Sequence, residues 1–252
     1  MMEFILTESE FNEDNTAWNG NRFLMGNGYF GIRGTLEEYT KKQMCAVNMA
    51  GIYDKMGNSW RESVNAPNPL YTYIKVNGKI YALPDEKPKF HQQELDFRYG
   101  IHSRVTHWQT EHGNITVVCE RFASIARQHN IAMKYTFSVD FDCEAEIITG
   151  IDGDVWDING PHFVKMKIGS KDGADYVTGM TGEKNISVTV KEYIRTDFQA
   201  EQTNQNTDKS IFRHIKFSAK AEKEYIIEKI AEITTSVDDF GTSGSIDELN
   251  YS

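Results

Sequence analysis

Apolar and polar residues alternate with a period of two along most of the chain. The longest run is Ile131, Met133, Tyr135, Phe137, Val139, Phe141, which turns one face of a strand toward a core. The same alternation predicts strands over 144–151, 162–168, 186–194, 211–217 and 225–235, with Gly, Asn, Asp and Ser in the gaps. Two hairpins stand out. Residues 71–76 and 79–83 flank Asn77-Gly78, a pair suited to a type I′ turn because both central positions need positive φ. Residues 103–110 and 115–122 flank a second turn at 111–114. Helical periodicity is scarce. The stretch up to about Asn19 reads as an irregular lead-in, and 36–43 as a single charged turn. No fixed-period repeat is present, so propellers and solenoids are disfavoured. Many strands without helix-length interludes predict an all-β protein, a large antiparallel β-sandwich occupying 1–236. Residues 237–252 open with a polar Gly/Ser-rich run, expected to start a linker inside a longer polypeptide.

Charge narrows the possible partners. The 252 residues carry 27 Lys+Arg and 37 Asp+Glu, a net charge of -10. Such a balance disfavours nucleic acid and anionic membrane surfaces, which need clustered Lys and Arg. No apolar run approaches the ~20 residues that cross a bilayer. The N-terminal residues lack the basic and apolar regions of a secretion signal. Cys45, Cys119 and Cys143 are odd in number and widely spaced, which fits reduced, buried thiols and a cytoplasmic setting.

Candidate chemistry is sparse. Gly26-Asn27-Gly28-Tyr29-Phe30-Gly31 has dinucleotide-loop spacing, but β-type sequence follows it, so a tight turn is expected instead. Asp152-Gly153-Asp154 resembles the start of a calcium loop but lacks the later oxygens and the closing Glu. Neither a metal nor a cofactor is expected. His107, His112 and His162 have no second His at ligand spacing and read as structural. The adjacent pairs Glu37-Glu38 and Asp238-Asp239 read as a charged turn and a tail, and no carboxylate pair is marked out for glycoside chemistry. Among the tryptophans, Trp108 falls in a strand and is assigned to the core. Trp60 and Trp156 fall in loop-like sequence and are the candidates for ligand contact.

An ordered set of segments resembles the N-terminal domain of glycoside hydrolase family 65, the disaccharide phosphorylases acting on maltose, trehalose, kojibiose and nigerose. The segments are Asn21-Arg22-Phe23-Leu24-Met25-Gly26-Asn27-Gly28-Tyr29-Phe30-Gly31-Ile32-Arg33-Gly34, Ala50-Gly51-Ile52-Tyr53-Asp54, Val64-Asn65-Ala66-Pro67-Asn68, Ile74-Lys75-Val76-Asn77-Gly78, Glu94-Leu95-Asp96-Phe97-Arg98-Tyr99-Gly100 and Glu120-Arg121-Phe122-Ala123-Ser124. The strand over 225–236 completes the set. The resemblance implies a supersandwich related to galactose mutarotase, ahead of an (α/α)6 catalytic barrel that 252 residues cannot contain. It also implies that the general acid and the site for inorganic phosphate, the co-substrate, lie in that barrel, so this chain is expected to hold no catalytic residue. The implied partners are the barrel, a second copy in a homodimer, and a disaccharide. The best candidate for a loop near the sugar is 151–162, with Asp154, Trp156 and His162, together with Trp60. A free-standing carbohydrate-binding module and a domain of a family 65 hydrolase remain the alternatives.

Overall fold

The computed structural model describes residues 4–83 and 85–238. Residues 239–252, most of the expected linker, lie outside the described residues. Strands dominate and all pair antiparallel, as the alternating pattern predicts.

The largest sheet has nine strands. In spatial order they are β1 (Ile5–Glu8), β8 (Phe90–Asp96), β9 (Ile101–Gln109), β10 (Asn114–Ala123), β11 (Asn130–Val139), β18 (Glu224–Thr235), β15 (Ser187–Thr196), β14 (Ala174–Thr181) and β13 (Phe163–Lys171). A five-stranded sheet contains β16 (Glu201–Asn206), β17 (Ile211–Ala219), β12 (Cys143–Ile151), β6 (Thr72–Val76) and β7 (Lys79–Tyr81). A small sheet contains β2 (Met25–Gly26), β3 (Phe30–Ile32), β4 (Val47–Asp54) and β5 (Glu62–Asn65). The two smaller sheets cover one face of the large one, and a shared apolar core fills the space between.

Side-chain alternation sets which face is inside. On β11 the buried positions Ile131, Met133, Tyr135, Phe137 and Val139 are those of the sequence pattern. Trp108 is 1% exposed, and its indole N–H donates to the Glu86 carbonyl at 3.0 Å. Asn77 and Gly78 have φ of 49° and 80°, as a type I′ turn between β6 and β7 requires. Gly28, at the β2–β3 turn, has φ of 90°, so the glycine-rich motif is the turn its sequence context predicts. All three cysteines are free and buried. Burial pushes the Cys45 thiol up to about 12 and that of Cys143 to about 11, which keeps both protonated.

The lead-in is more ordered than its sequence predicts. It contributes β1, paired with β8, and one short helix, α1 (Thr16–Arg22). The charged stretch at 36–43 also differs. Only 41–43 form a 3₁₀ turn, while Glu37 and Glu38 are buried inside the sandwich. Arg104 of β9 donates to Glu37 at 2.9 Å and to Glu38 at 2.6 Å. Arg121 of β10 donates to Glu37 at 2.7 Å and to the Thr35 carbonyl at 2.6 Å. Carboxylates at this depth persist only when paired, and two arginines pointing inward from adjacent strands supply the pairing. Burial alone would raise the Glu37 pKa, but the Arg121 and Arg104 charges outweigh it and hold the carboxyl down at about 2. A second buried ion pair joins Lys229 of β18 to Glu192 of β15 at 3.0 Å. The Lys229 ammonium also donates to the carbonyls of Pro69 and Gly150, at 3.0 and 3.1 Å, tying the large sheet to the five-stranded one.

Candidate functional site

Strand register defines one end of the sandwich. The β8–β9 and β10–β11 turns, the start of β13, the β14–β15 turn and the end of β18 all lie there. The β4–β5 hairpin reaches the same end, because the Asp54 carboxylate accepts the backbone N–H groups of Gly182 and Glu183 at 3.3 and 2.9 Å. The described chain also leaves here. The Tyr29 hydroxyl donates to Asp238 at 2.6 Å, and Asp238 in turn accepts from the Thr235 hydroxyl at 2.8 Å.

Two of the four candidate residues, Trp60 and His162, belong to this end. Trp60, in the β4–β5 hairpin, is 65% exposed. Trp156 is half-buried, and its carbonyl accepts from Asn65 at 3.0 Å, which pins the 152–162 loop to β5. His162 is buried where that loop enters β13. Its Nε2 lies 2.7 Å from the Glu62 carboxylate and its Nδ1 lies 3.3 Å from Asp54. Glu62 also accepts from the backbone N–H groups of Ile158 and Asn159, each at 2.9 Å. Asp157 approaches from the loop, and its carboxylate accepts the His162 backbone N–H at 3.4 Å. Burial alone would lower the His162 pKa; the Glu62 hydrogen bond and the Asp157 and Glu62 charges outweigh it and raise the value above that of free histidine. Burial pushes the Asp157 carboxyl up.

Asp154 has other partners. It pairs with Lys41 and Lys209, both at 2.7 Å, over an open cleft of about 520 Å³ that also includes Tyr71 and Phe212. Asp152 is buried and accepts the Ser210 hydroxyl at 2.8 Å. Asp154 thus serves a lysine pair and Asp152 a serine. Sequence reading missed Asp54 and Glu62, which are separated from His162 by 108 and 100 positions. The charged-apolar alternation Tyr53-Asp54 and Trp60-Arg61-Glu62 is the only local signal for them.

Exposed large apolar side chains gather at the same end. Trp60, Ile158, Val164, Phe122, Ile125 and Val237 are 65, 65, 59, 43, 78 and 60% exposed. Phe90, at the far end of β8, and Trp18, on α1, stand apart from this group.

Comparison with known proteins places this architecture. The family description "Glycosyl hydrolase family 65, N-terminal domain" matches residues 6–250. The chain belongs to this family. The family 65 domain is 39% identical over 260 residues to a nigerose phosphorylase of Lachnoclostridium phytofermentans, covering 94% of this chain and 34% of that protein. It is 36% identical over 221 residues to a 1,2-alpha-glucosylglycerol phosphorylase of Bacillus selenitireducens, covering 87% of this chain and 29% of that protein. The chain thus spans about a third of the length of these relatives. The fold matches a solved structure described as a putative kojibiose phosphorylase from the human microbiome, with TM-score 0.83 and 19% identity. That match covers 93% of this chain and 33% of the other. Among the described residues, no helix is long and apolar enough to cross a membrane.

Proposed function

We propose that this chain is the non-catalytic β-sandwich of a disaccharide phosphorylase and docks onto a catalytic domain through the end where Asp238 leaves. The parent enzyme cleaves an α-linked glucose disaccharide with inorganic phosphate, inverting the anomeric centre to give β-glucose 1-phosphate. One observation carries this reading. The exposed apolar side chains collect at the end from which the polypeptide continues, and the relatives are about three times as long. Apolar surface of this kind marks a face that another body covers. In the assembled enzyme the 152–162 loop and Trp60 frame the approach to the sugar site, Asp154, Trp156 and His162 shape that loop, and the sandwich adds contacts to a homodimer.

The test has two parts. Incubated alone with phosphate and maltose, trehalose, kojibiose or nigerose, the chain releases no glucose 1-phosphate. Substituted for the matching third of the Lachnoclostridium nigerose phosphorylase, it supports phosphorolysis, and Trp60→Asp with Ile158→Asp lowers that activity and the yield of assembled enzyme. Product from the chain alone overturns the non-catalytic reading. An unaffected double variant overturns the docking face. Sugar binding by the isolated chain that disappears in Trp60→Ala would identify a free-standing binding module instead.

A further inference from the structure

We propose that His162, Glu62 and Asp157 form a binding site for a divalent transition cation such as Zn²⁺ or Mn²⁺. One ligand atom from each of the three residues can be chosen so that all lie within 4.8 Å of one another. An imidazole nitrogen with two carboxylates is a donor set that suits these ions better than Mg²⁺ or Ca²⁺, which favour oxygen alone.

The surroundings are organised as a metal-ligating histidine requires. Such a histidine gives its remote ring N–H to a carboxylate, which fixes the tautomer and aims the other nitrogen. Here Nδ1 faces Asp54 at 3.3 Å, and Asp54 is itself held by the Gly182 and Glu183 backbone N–H groups. Nε2 therefore points at Glu62, and an Asp157 carboxylate oxygen completes the cluster. Glu62 is fixed in the same way. The Ile158 and Asn159 backbone N–H groups and the Asn159 side chain, at 3.2 Å, hold both of its oxygens. The charges also call for a cation. Three carboxylates surround one imidazole, and the neighbouring Arg61 is already paired with Glu183. Nε2 and Glu62 now share a hydrogen across 2.7 Å, and the cation takes its place.

Donors from the β4–β5 hairpin, the 152–162 loop and the start of β13 would then be tied at one point beside Trp60. The cation crosslinks the apolar end that the proposed docking uses, but its binding does not depend on that docking being correct.

The experiment is isothermal titration of the EDTA-stripped full chain with ZnCl₂ and MnCl₂, followed by Co²⁺ as a visible-absorbance probe. One saturable site is expected, with cobalt d–d bands and a rise in the thermal midpoint. His162→Gln and Glu62→Gln abolish all three signals. Asp54→Asn, which removes the outer carboxylate, weakens binding by about tenfold. Asp157→Asn guards against misfolding, because among the described residues its carboxylate accepts a single hydrogen bond, and it too loses the site while keeping the wild-type circular dichroism. His112→Ala, on an exposed turn beside Glu111, leaves binding intact. The proposal is overturned by the absence of saturable binding of either ion, by wild-type binding in Asp157→Asn, or by loss of the site in His112→Ala.

Discussion

Arg104 and Arg121 show how much of this sandwich depends on single charged side chains. Each is fully buried and paired with Glu37. Removing one partner leaves an uncompensated charge, so Arg104→Met is expected to cost about 3–5 kcal/mol in urea unfolding. Replacing Glu37 and Arg104 together costs less than the sum of the two single changes, because neither charge is then stranded. The interior histidines set the acid limit. Burial, with the Arg104 charge second, lowers the His91 pKa to about 3, and burial with Arg121 holds His102 well below its usual value. Both are neutral in the fold and gain a proton on unfolding once the pH drops below about 6.5. The unfolded chain then binds more protons, so stability falls as pH decreases, by up to about 1.4 kcal/mol per pH unit for each histidine. Glu37 adds a loss in the same direction between its unfolded value and about 2. His91→Gln should flatten the pH dependence of the urea midpoint between pH 7 and pH 5 relative to wild type; an unchanged slope in the variant would refute this account. None of this network is visible in the sequence. Glu37-Glu38 looks like a solvated turn, because its arginine partners lie 66 to 84 positions away. His162 can be picked out as a residue but not as part of a cluster, for the same reason.

At the level of elements, legibility followed the contrast between the two faces of each strand. β18 alternates throughout and β11 from Ile131 on, and their sequence patterns mark them as strands. β16 is polar and exposed at every position and carries no apolar signal. It is an edge strand whose polarity discourages pairing with other chains. β4 breaks its alternation at Ala50-Gly51, where the pairing with β5 shifts register, so the small sheet is hard to read. The turn glycines differ in the same graded way. Gly78 needs its positive φ but has open space around it, so Gly78→Ala is expected to cost about 1 kcal/mol. Gly150 lies near the end of β12, paired with Phe212 of β17, where an added Cβ would collide with the Ile211 carbonyl. Gly150→Ala must therefore push β12 away from β17, and thermal melts should show a clearly larger loss than for Gly78→Ala.

Among the described residues the exposed apolar side chains concentrate toward one end, and that asymmetry has a measurable counterpart. Trp60→Asp and Ile158→Asp change exposed side chains, so each should leave the stability of the chain within about 0.5 kcal/mol of wild type. They should also reduce the self-association of the isolated chain at high concentration, as light scattering would show. Unchanged scattering would mean that this end is not the sticky one. The overall architecture was legible because fold class depends on the repeated strand pattern. The proposed docking end was legible only as single candidates such as Trp60 and His162, because it is assembled from turns far apart in sequence.

β18 is the last strand of the described chain and sits in the middle of the nine-stranded sheet, between β11 and β15. A nascent chain that has emerged only as far as Lys223 therefore carries two half-sheets with open edges facing each other across a gap. Those edges can pair with other chains until the closing strand arrives. Synthesis thus imposes an order of events: the sandwich seals itself last, by insertion, and any polypeptide translated after Asp238 emerges beside a sheet that has only just closed.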